Sequence, residues 1–79
     1  MAIADTKIQL SALTPEVKKI MAAVNAATAT AVDINASNID LAQKAVLLKV
    51  LATTATREGI NASPCDLLFK SLCLEIAGV

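Results

Sequence analysis

The sequence has no histidine, no tryptophan and no tyrosine, and its single phenylalanine is Phe69. Without histidine, the chain cannot assemble a Ser–His or Cys–His nucleophile or use imidazole as a general base. Its seven acidic side chains stand singly, and those near expected helix starts are explained by capping and by the helix dipole. Catalysis needs a supported group of side chains. We therefore expect a protein that is not an enzyme and that carries no cofactor.

Cysteine is also scarce, because Cys65 and Cys73 are the only two in the chain. Two thiolates are too few for a structural zinc site, so we expect no metal. Free cysteine packs like a small apolar residue, and both positions fall on one apolar stripe of a predicted helix. Packing in the core is the favoured interpretation, and a thiol pair between two copies of the chain is the alternative.

An excess of charge of one sign is missing as well. Seven basic and seven acidic residues give a net charge of zero, without a basic stripe. Nucleic-acid binders use such a stripe to neutralise phosphates, so no nucleic-acid partner is expected. No segment approaches the roughly 18 uncharged apolar residues of a membrane span. Residues 1–5 lack the basic and apolar regions of a signal peptide, so we expect a cytoplasmic protein without a membrane span.

Small apolar residues take the place of the missing aromatic ones. The chain contains sixteen alanines, and 56% of its 79 residues are hydrophobic. A compact monomer of this length has difficulty hiding so much apolar surface, and exposed apolar patches are typical of interfaces. We therefore predict that the fold is completed by oligomerisation or by a larger protein partner.

An Ile-x-x-Ser pattern recurs at regular spacing, at residues 8–11, 34–37 and 60–63. A repeat interval of this length, about 26 residues, is typical of one supersecondary unit that is used several times. We interpret the unit as a linker, a capping residue and one helix. The predicted N-caps are Thr14, Ser37 and Ser63, because serine and threonine accept hydrogen bonds from the first backbone N–H groups of a helix.

The predicted fold is a small all-α, three-helix bundle that forms a single domain over residues 1–79. Apolar residues at helical spacing place the helices, and Gly59 and Gly78 are expected at helix ends. The partly alternating residues 5–10 fit a short strand or an extended arm. The predicted elements are an arm over 1–13 and helices over 14–31, 38–58 and 64–77.

Apolar positions that remain after each helix has received one core stripe are the candidate interface residues. Lys49 interrupts the most apolar stretch of the chain. Its favoured interpretation is a stem lying on apolar surface with its ammonium group in water. The alternative is a charge that is paired across an interface. The candidate interface residues are Ala23, Ala27, Leu47, Leu51, Leu67 and Leu74.

Two short segments, Thr6–Leu10 and Arg57–Ser63, resemble pieces of ribbon-helix-helix regulators. That resemblance implies a strand over residues 6–10, which would pair with the same strand of a second chain and enter the major groove of DNA. In this chain, two helices' worth of sequence separates the two segments. Lys7 is the only basic residue in the strand-like segment.

Three functions follow from these patterns. The first is a non-enzymatic, self-associating helical protein that acts as a structural or assembly subunit through protein–protein contacts. The first alternative is a small protein-binding inhibitor or regulator, of the antitoxin or phage-inhibitor type. The second alternative is a DNA-binding regulator of the ribbon-helix-helix kind.

Overall fold

The computed structural model describes residues 3–79, which form six α-helices and no strand. The predicted all-α class is confirmed, but the described chain has six helices where three were predicted. No helix in this part of the chain is long and apolar enough to cross a membrane. The helices are α1 (Asp5–Gln9), α2 (Pro15–Asn25), α3 (Ala31–Ala36), α4 (Leu41–Leu51), α5 (Arg57–Ala62) and α6 (Leu67–Ala77).

Short and long helices alternate along the chain. The short helices begin at positions 5, 31 and 57, and the long helices begin at positions 15, 41 and 67, so both series follow the repeat interval of the sequence. The structural unit is therefore a short helix, a tight turn and a long helix. The predicted unit of a linker, a cap and one helix was wrong, because its linker contains a helix of its own.

Two predicted helices are each interrupted by a turn. The helix predicted over 14–31 ends at Asn25, and the helix predicted over 38–58 ends at Leu51. Ala27 and Thr53 follow these ends with φ of 59°, in the left-handed region that commonly stops a helix. The threonines beyond each turn resist helix continuation, since β-branched side chains lose rotamer freedom in a helix.

Thr30 and Thr56 start new helices after these turns. The Thr30 Oγ1 accepts a hydrogen bond from the Asp33 N–H at 3.2 Å, and the Thr56 Oγ1 accepts one from the Gly59 N–H at 3.0 Å. Both threonines are therefore N-caps of short helices. Gly59, expected at a helix end, is instead the third residue of α5.

The recurring serines close the short helices. Each serine hydroxyl donates to the carbonyl oxygen of the isoleucine three residues earlier, at 2.6 Å for Ser11, 2.5 Å for Ser37 and 2.6 Å for Ser63. Ser37 and Ser63 are the C-caps of α3 and α5. The prediction that they are N-caps was wrong, because their hydroxyls are used on the preceding helix.

The long helices begin at other residues. Thr14 is the N-cap of α2, as predicted, and its hydroxyl accepts from the Val17 N–H. Asp40 and Asp66 are the N-caps of α4 and α6, so the helix predicted from residue 64 begins at Leu67. A lysine in each long helix ties it back to the preceding short helix by donating from Nζ to a backbone carbonyl: Lys18 to Gln9, Lys44 to Asn35 and Lys70 to Asn61.

The predicted N-terminal arm is part of the folded core. Residues 1–2 of that prediction lie outside the described residues, and residues 5–9 form α1 rather than a strand. Ile8 in α1 has no exposed surface, and Leu13 is also buried. The strand implied by the ribbon-helix-helix resemblance is therefore replaced by a helix.

One core is shared by all six helices. The short helices contribute Ile8, Ile34 and Ile60, which follow the repeat interval and are at most 2% exposed. The long helices contribute one face each, and α4 packs against both α2 and α6. The buried residues on the long helices are Val17, Ile20, Met21 and Val24 on α2, Val46, Leu47 and Val50 on α4, and Phe69, Leu72, Cys73 and Ile76 on α6.

The first and last helices of the chain are joined directly. The Lys7 ammonium group in α1 forms an ion pair with the Glu75 carboxylate in α6. The backbone of Ile3 also exchanges two hydrogen bonds with the Asn25 side chain, at 2.8 and 2.9 Å. The beginning of the described chain is thereby fixed to α2 and to α6.

Candidate binding groove

The predicted interface residues do not form one surface. Leu47 is fully buried in the core, so its prediction as an interface residue was wrong. Ala23, Leu51 and Leu74 are half-buried and pack against the core. Ala27 and Leu51 line one small depression at the C-terminal ends of the long helices, whereas Leu67 lies apart from it and is 81% exposed.

A groove of about 410 Å³ lies between α4 and the segment that runs from Thr54 to Pro64. Its size is within the range of small binding sites in proteins. Ala42, Ala45 and Val46 form the α4 wall. The opposite wall belongs to α5 and the turns on either side of it. Because most side chains on both walls are small, the space between the walls stays open.

An equivalent groove between α2 and α3 has a smaller volume, about 310 Å³. The repeat interval relates the two grooves position by position. The α2–α3 groove is lined by three charged side chains, namely Glu16, Lys19 and Asp33. The corresponding residues of the α4–α5 groove are Ala42, Ala45 and Gly59. Replacement of three charged side chains by alanine and glycine therefore distinguishes the α4–α5 groove.

Among the described residues, Lys49 is the one charged residue that lines the α4–α5 groove. It is exposed, and within residues 3–79 its ammonium group makes no hydrogen bond or ion pair. The equivalent residue of α6 is Glu75, which pairs with Lys7. The position that corresponds to Lys7 is Gly59 in α5, which offers no side chain. Lys49 therefore contributes an unpaired positive charge to a groove whose other described lining residues are uncharged.

The two cysteines lie away from this groove. Burial, and to a smaller extent the neighbouring Cys65, raises the pKa of the Cys73 thiol from 9.0 to about 12. Cys73 belongs to the core, and Cys65 is half-buried in the turn before α6. Among residues 3–79, no three side chains of the histidine, cysteine, aspartate or glutamate type lie close enough together to hold a metal ion.

The sequence predictions missed the groove, although a signal for it exists. Aligning the chain with itself at the repeat interval pairs Glu16 with Ala42 and Lys19 with Ala45. That comparison shows where charge is lost between copies. It does not show that the lost side chains face a shared groove, because the short helices that form the second wall were not predicted.

No protein-family model, no curated protein and no solved structure matches this chain.

Proposed function

We propose that this chain is a small, non-enzymatic protein-binding module, which folds as a monomer and holds a segment of another protein in the α4–α5 groove. The observation that carries the proposal is the groove of about 410 Å³ with its small apolar walls. Concave, mostly apolar sites with few polar groups are typical of binding surfaces. The proposal corresponds to the first alternative from the sequence, a regulator or inhibitor that acts by binding.

The surface of the isolated chain supports a folded monomer. Its solvent-accessible area is 4591 Å², and the relation between area and mass gives about 4,500 Å² for a folded monomer of this size. Within residues 3–79, sixteen hydrophobic residues are buried without a second copy, and they form one cluster. A single chain therefore contains a continuous hydrophobic core.

The monomeric state is tested by the absolute mass in solution, measured by light scattering after size exclusion over a wide dilution series. We expect 8.1 kDa throughout. A multiple of this mass that survives dilution would contradict the monomer and would favour self-association.

Groove binding is tested with a random peptide library displayed on phage. The groove-filled variant combines Ala45→Lys with Gly59→Asp, the residues that the α2–α3 groove carries, and Lys19→Ala in that other groove is the matched control. We expect wild type and control to retain peptides that the filled variant does not bind, while circular dichroism shows all three proteins folded. If every selected peptide binds the filled variant equally well, the groove is not the binding site.

Self-association as a structural subunit remains the second candidate. Three leucines favour it, since Leu10, Leu41 and Leu67 are 86%, 81% and 81% exposed. Single exposed apolar residues are common in monomers, so these leucines matter only if the mass measurement finds an oligomer. In that case Leu67→Glu should reduce the mass toward that of one chain without loss of helical structure.

A further inference from the structure

Building on the proposed function, we infer that the segment held in the α4–α5 groove carries a carboxylate and that Lys49 selects it. The segment would be part of a partner protein, with an aspartate or glutamate beside small apolar residues. The ammonium group of Lys49 would pair with that carboxylate, while the apolar side chains would lie against Ala42, Ala45 and Val46.

The distribution of charge over the related positions carries this inference. The α2–α3 groove is lined by both signs, since Lys19 lies there together with Glu16 and Asp33. Where α1 meets α6, Lys7 is paired with Glu75. The α4–α5 groove has a cation and lacks a carboxylate among its described lining residues. A carboxylate from a partner protein would pair with Lys49 in the α4–α5 groove, as Glu75 pairs with Lys7 between α6 and α1.

The space in front of Lys49 suits such a group. Gly59 occupies the position that corresponds to Lys7 and has no side chain, so α5 places no charged group in the groove at that position. The small side chains on the α4 wall also allow the backbone of a bound segment to approach α4 closely. A carboxylate that enters the groove therefore meets no competing acidic side chain among the described lining residues.

A carboxylate fits the groove better than a phosphate does. Phosphate groups carry up to two negative charges and are usually held by several donors, arginine clusters among them. Lys49 is the one cation among the described lining residues, and a single ammonium group matches a single carboxylate charge. The remaining lining residues, from Ala42 to Pro64, are small or apolar apart from serine and threonine hydroxyls.

The test repeats the peptide selection on Lys49→Glu, with Lys19→Glu as the matched control, because Lys19 is also an exposed lysine that lines the equivalent groove. We expect wild type and control to enrich peptides with aspartate or glutamate at one fixed position. The Lys49→Glu protein should enrich lysine or arginine at that position instead. Enrichment of the same acidic peptides by Lys49→Glu would overturn the inference.

A second measurement uses the most enriched wild-type peptide, made synthetically, together with its variant in which the acidic residue is replaced by the neutral amide. Lys49→Gln should weaken binding of the acidic peptide about 1.5- to 5-fold, the range for an exposed ion pair. It should leave the amide peptide unchanged. Equal loss for both peptides would assign Lys49 a role in packing rather than in charge selection, and would overturn the inference.

The two proposals fail in different ways. Peptides that depend on the open groove but ignore the charge of residue 49 would remove the carboxylate inference and leave the binding function intact. Peptides that bind the groove-filled variant as well as wild type would remove the proposed groove function itself.

Discussion

At the scale of single residues, burial governs the chemistry of the two thiols. Cys73 is fully buried on α6, and Cys65 is half-buried in the turn before that helix. The thiolate is the reactive form of cysteine, and burial disfavours it. Because the pKa of Cys73 is raised to about 12, this thiol keeps its proton at neutral and mildly alkaline pH.

We therefore predict selective alkylation of the folded protein. Iodoacetamide at mildly alkaline pH should modify Cys65 and leave Cys73 unmodified, whereas both should react in concentrated urea; peptide mass spectrometry distinguishes the two sites. Equal native labelling would contradict the buried position of Cys73.

The raised pKa of Cys73 also makes the stability of the fold depend on pH. The folded thiol binds its proton more tightly than the unfolded thiol of pKa 9.0, so this contribution to the free energy of unfolding falls as pH rises from about 9 to 12.

The recurring serines show what one sequence can and cannot predict about a residue. Their spacing pointed to the repeat interval, but Ser37 was assigned to the wrong helix. A serine followed three residues later by an aspartate fits two structures, because either residue can cap the next helix. In the structure Asp40 caps α4 and the Ser37 hydroxyl donates to the Ile34 carbonyl. Only the presence of a short helix before Ser37 decides between the two.

At the scale of elements, the start of α5 is an incomplete copy of the start of α3. In α3 the Thr30 N–H donates to the Asp33 carboxylate at 3.1 Å, and the Asp33 N–H donates back to the threonine. In α5 the Thr56 Oγ1 accepts a hydrogen bond from the Gly59 N–H, but Gly59 has no side chain that could accept one from the Thr56 N–H. The reciprocal hydrogen bond of a capping box is therefore missing at α5.

Gly59→Asp should supply the missing half of this capping box. We expect the free energy of unfolding to rise by about 1 kcal/mol, from the added hydrogen bond and from the removal of glycine from a helix. The new Cβ would lie 3.0 Å from the Thr56 Oγ1, so the hydroxyl must move slightly. Urea unfolding measures the change, and Gly59→Ala is the control that removes the glycine alone. If alanine stabilises as much as aspartate, the capping interaction contributes nothing.

Periodicity predicted the long helices better than the short ones. The apolar positions of α2 and α6 recur over three turns and identify a buried face. The short helices have five or six residues and one buried residue each, so they contain too little periodic pattern to be recognised. Their missing prediction also explains why the second wall of the groove was not foreseen.

At the scale of the whole molecule, α1 packs into the common core and contacts α6 near the other end of the described chain. The sequence predicted residues 1–13 as a short extended arm that precedes the three-helix bundle. Instead, Ile8 packs in the common core and Lys7 pairs with Glu75 near the other end of the chain. The buried core of residues 3–79 consists mainly of isoleucine, valine and leucine side chains, with Phe69 as its largest fully buried member, and Ala29 is the one alanine among them.

Substitutions in α1 test whether this helix belongs to the shared core or is an arm outside it. Ile8 is 0% exposed and Leu10 is 86% exposed, so Ile8→Ala should lower the free energy of unfolding by about 2–5 kcal/mol, while Leu10→Ala should change it by less than about 0.5 kcal/mol. Ile8→Val, which should cost about 1 kcal/mol, remains measurable if the alanine variant is unfolded. Urea unfolding gives these values and that of Ile34→Ala, the matching substitution in the next copy. If α1 lay outside the core, both Ile8 variants would change the free energy of unfolding by close to zero, whereas a shared core makes the cost of Ile8→Ala comparable to that of Ile34→Ala.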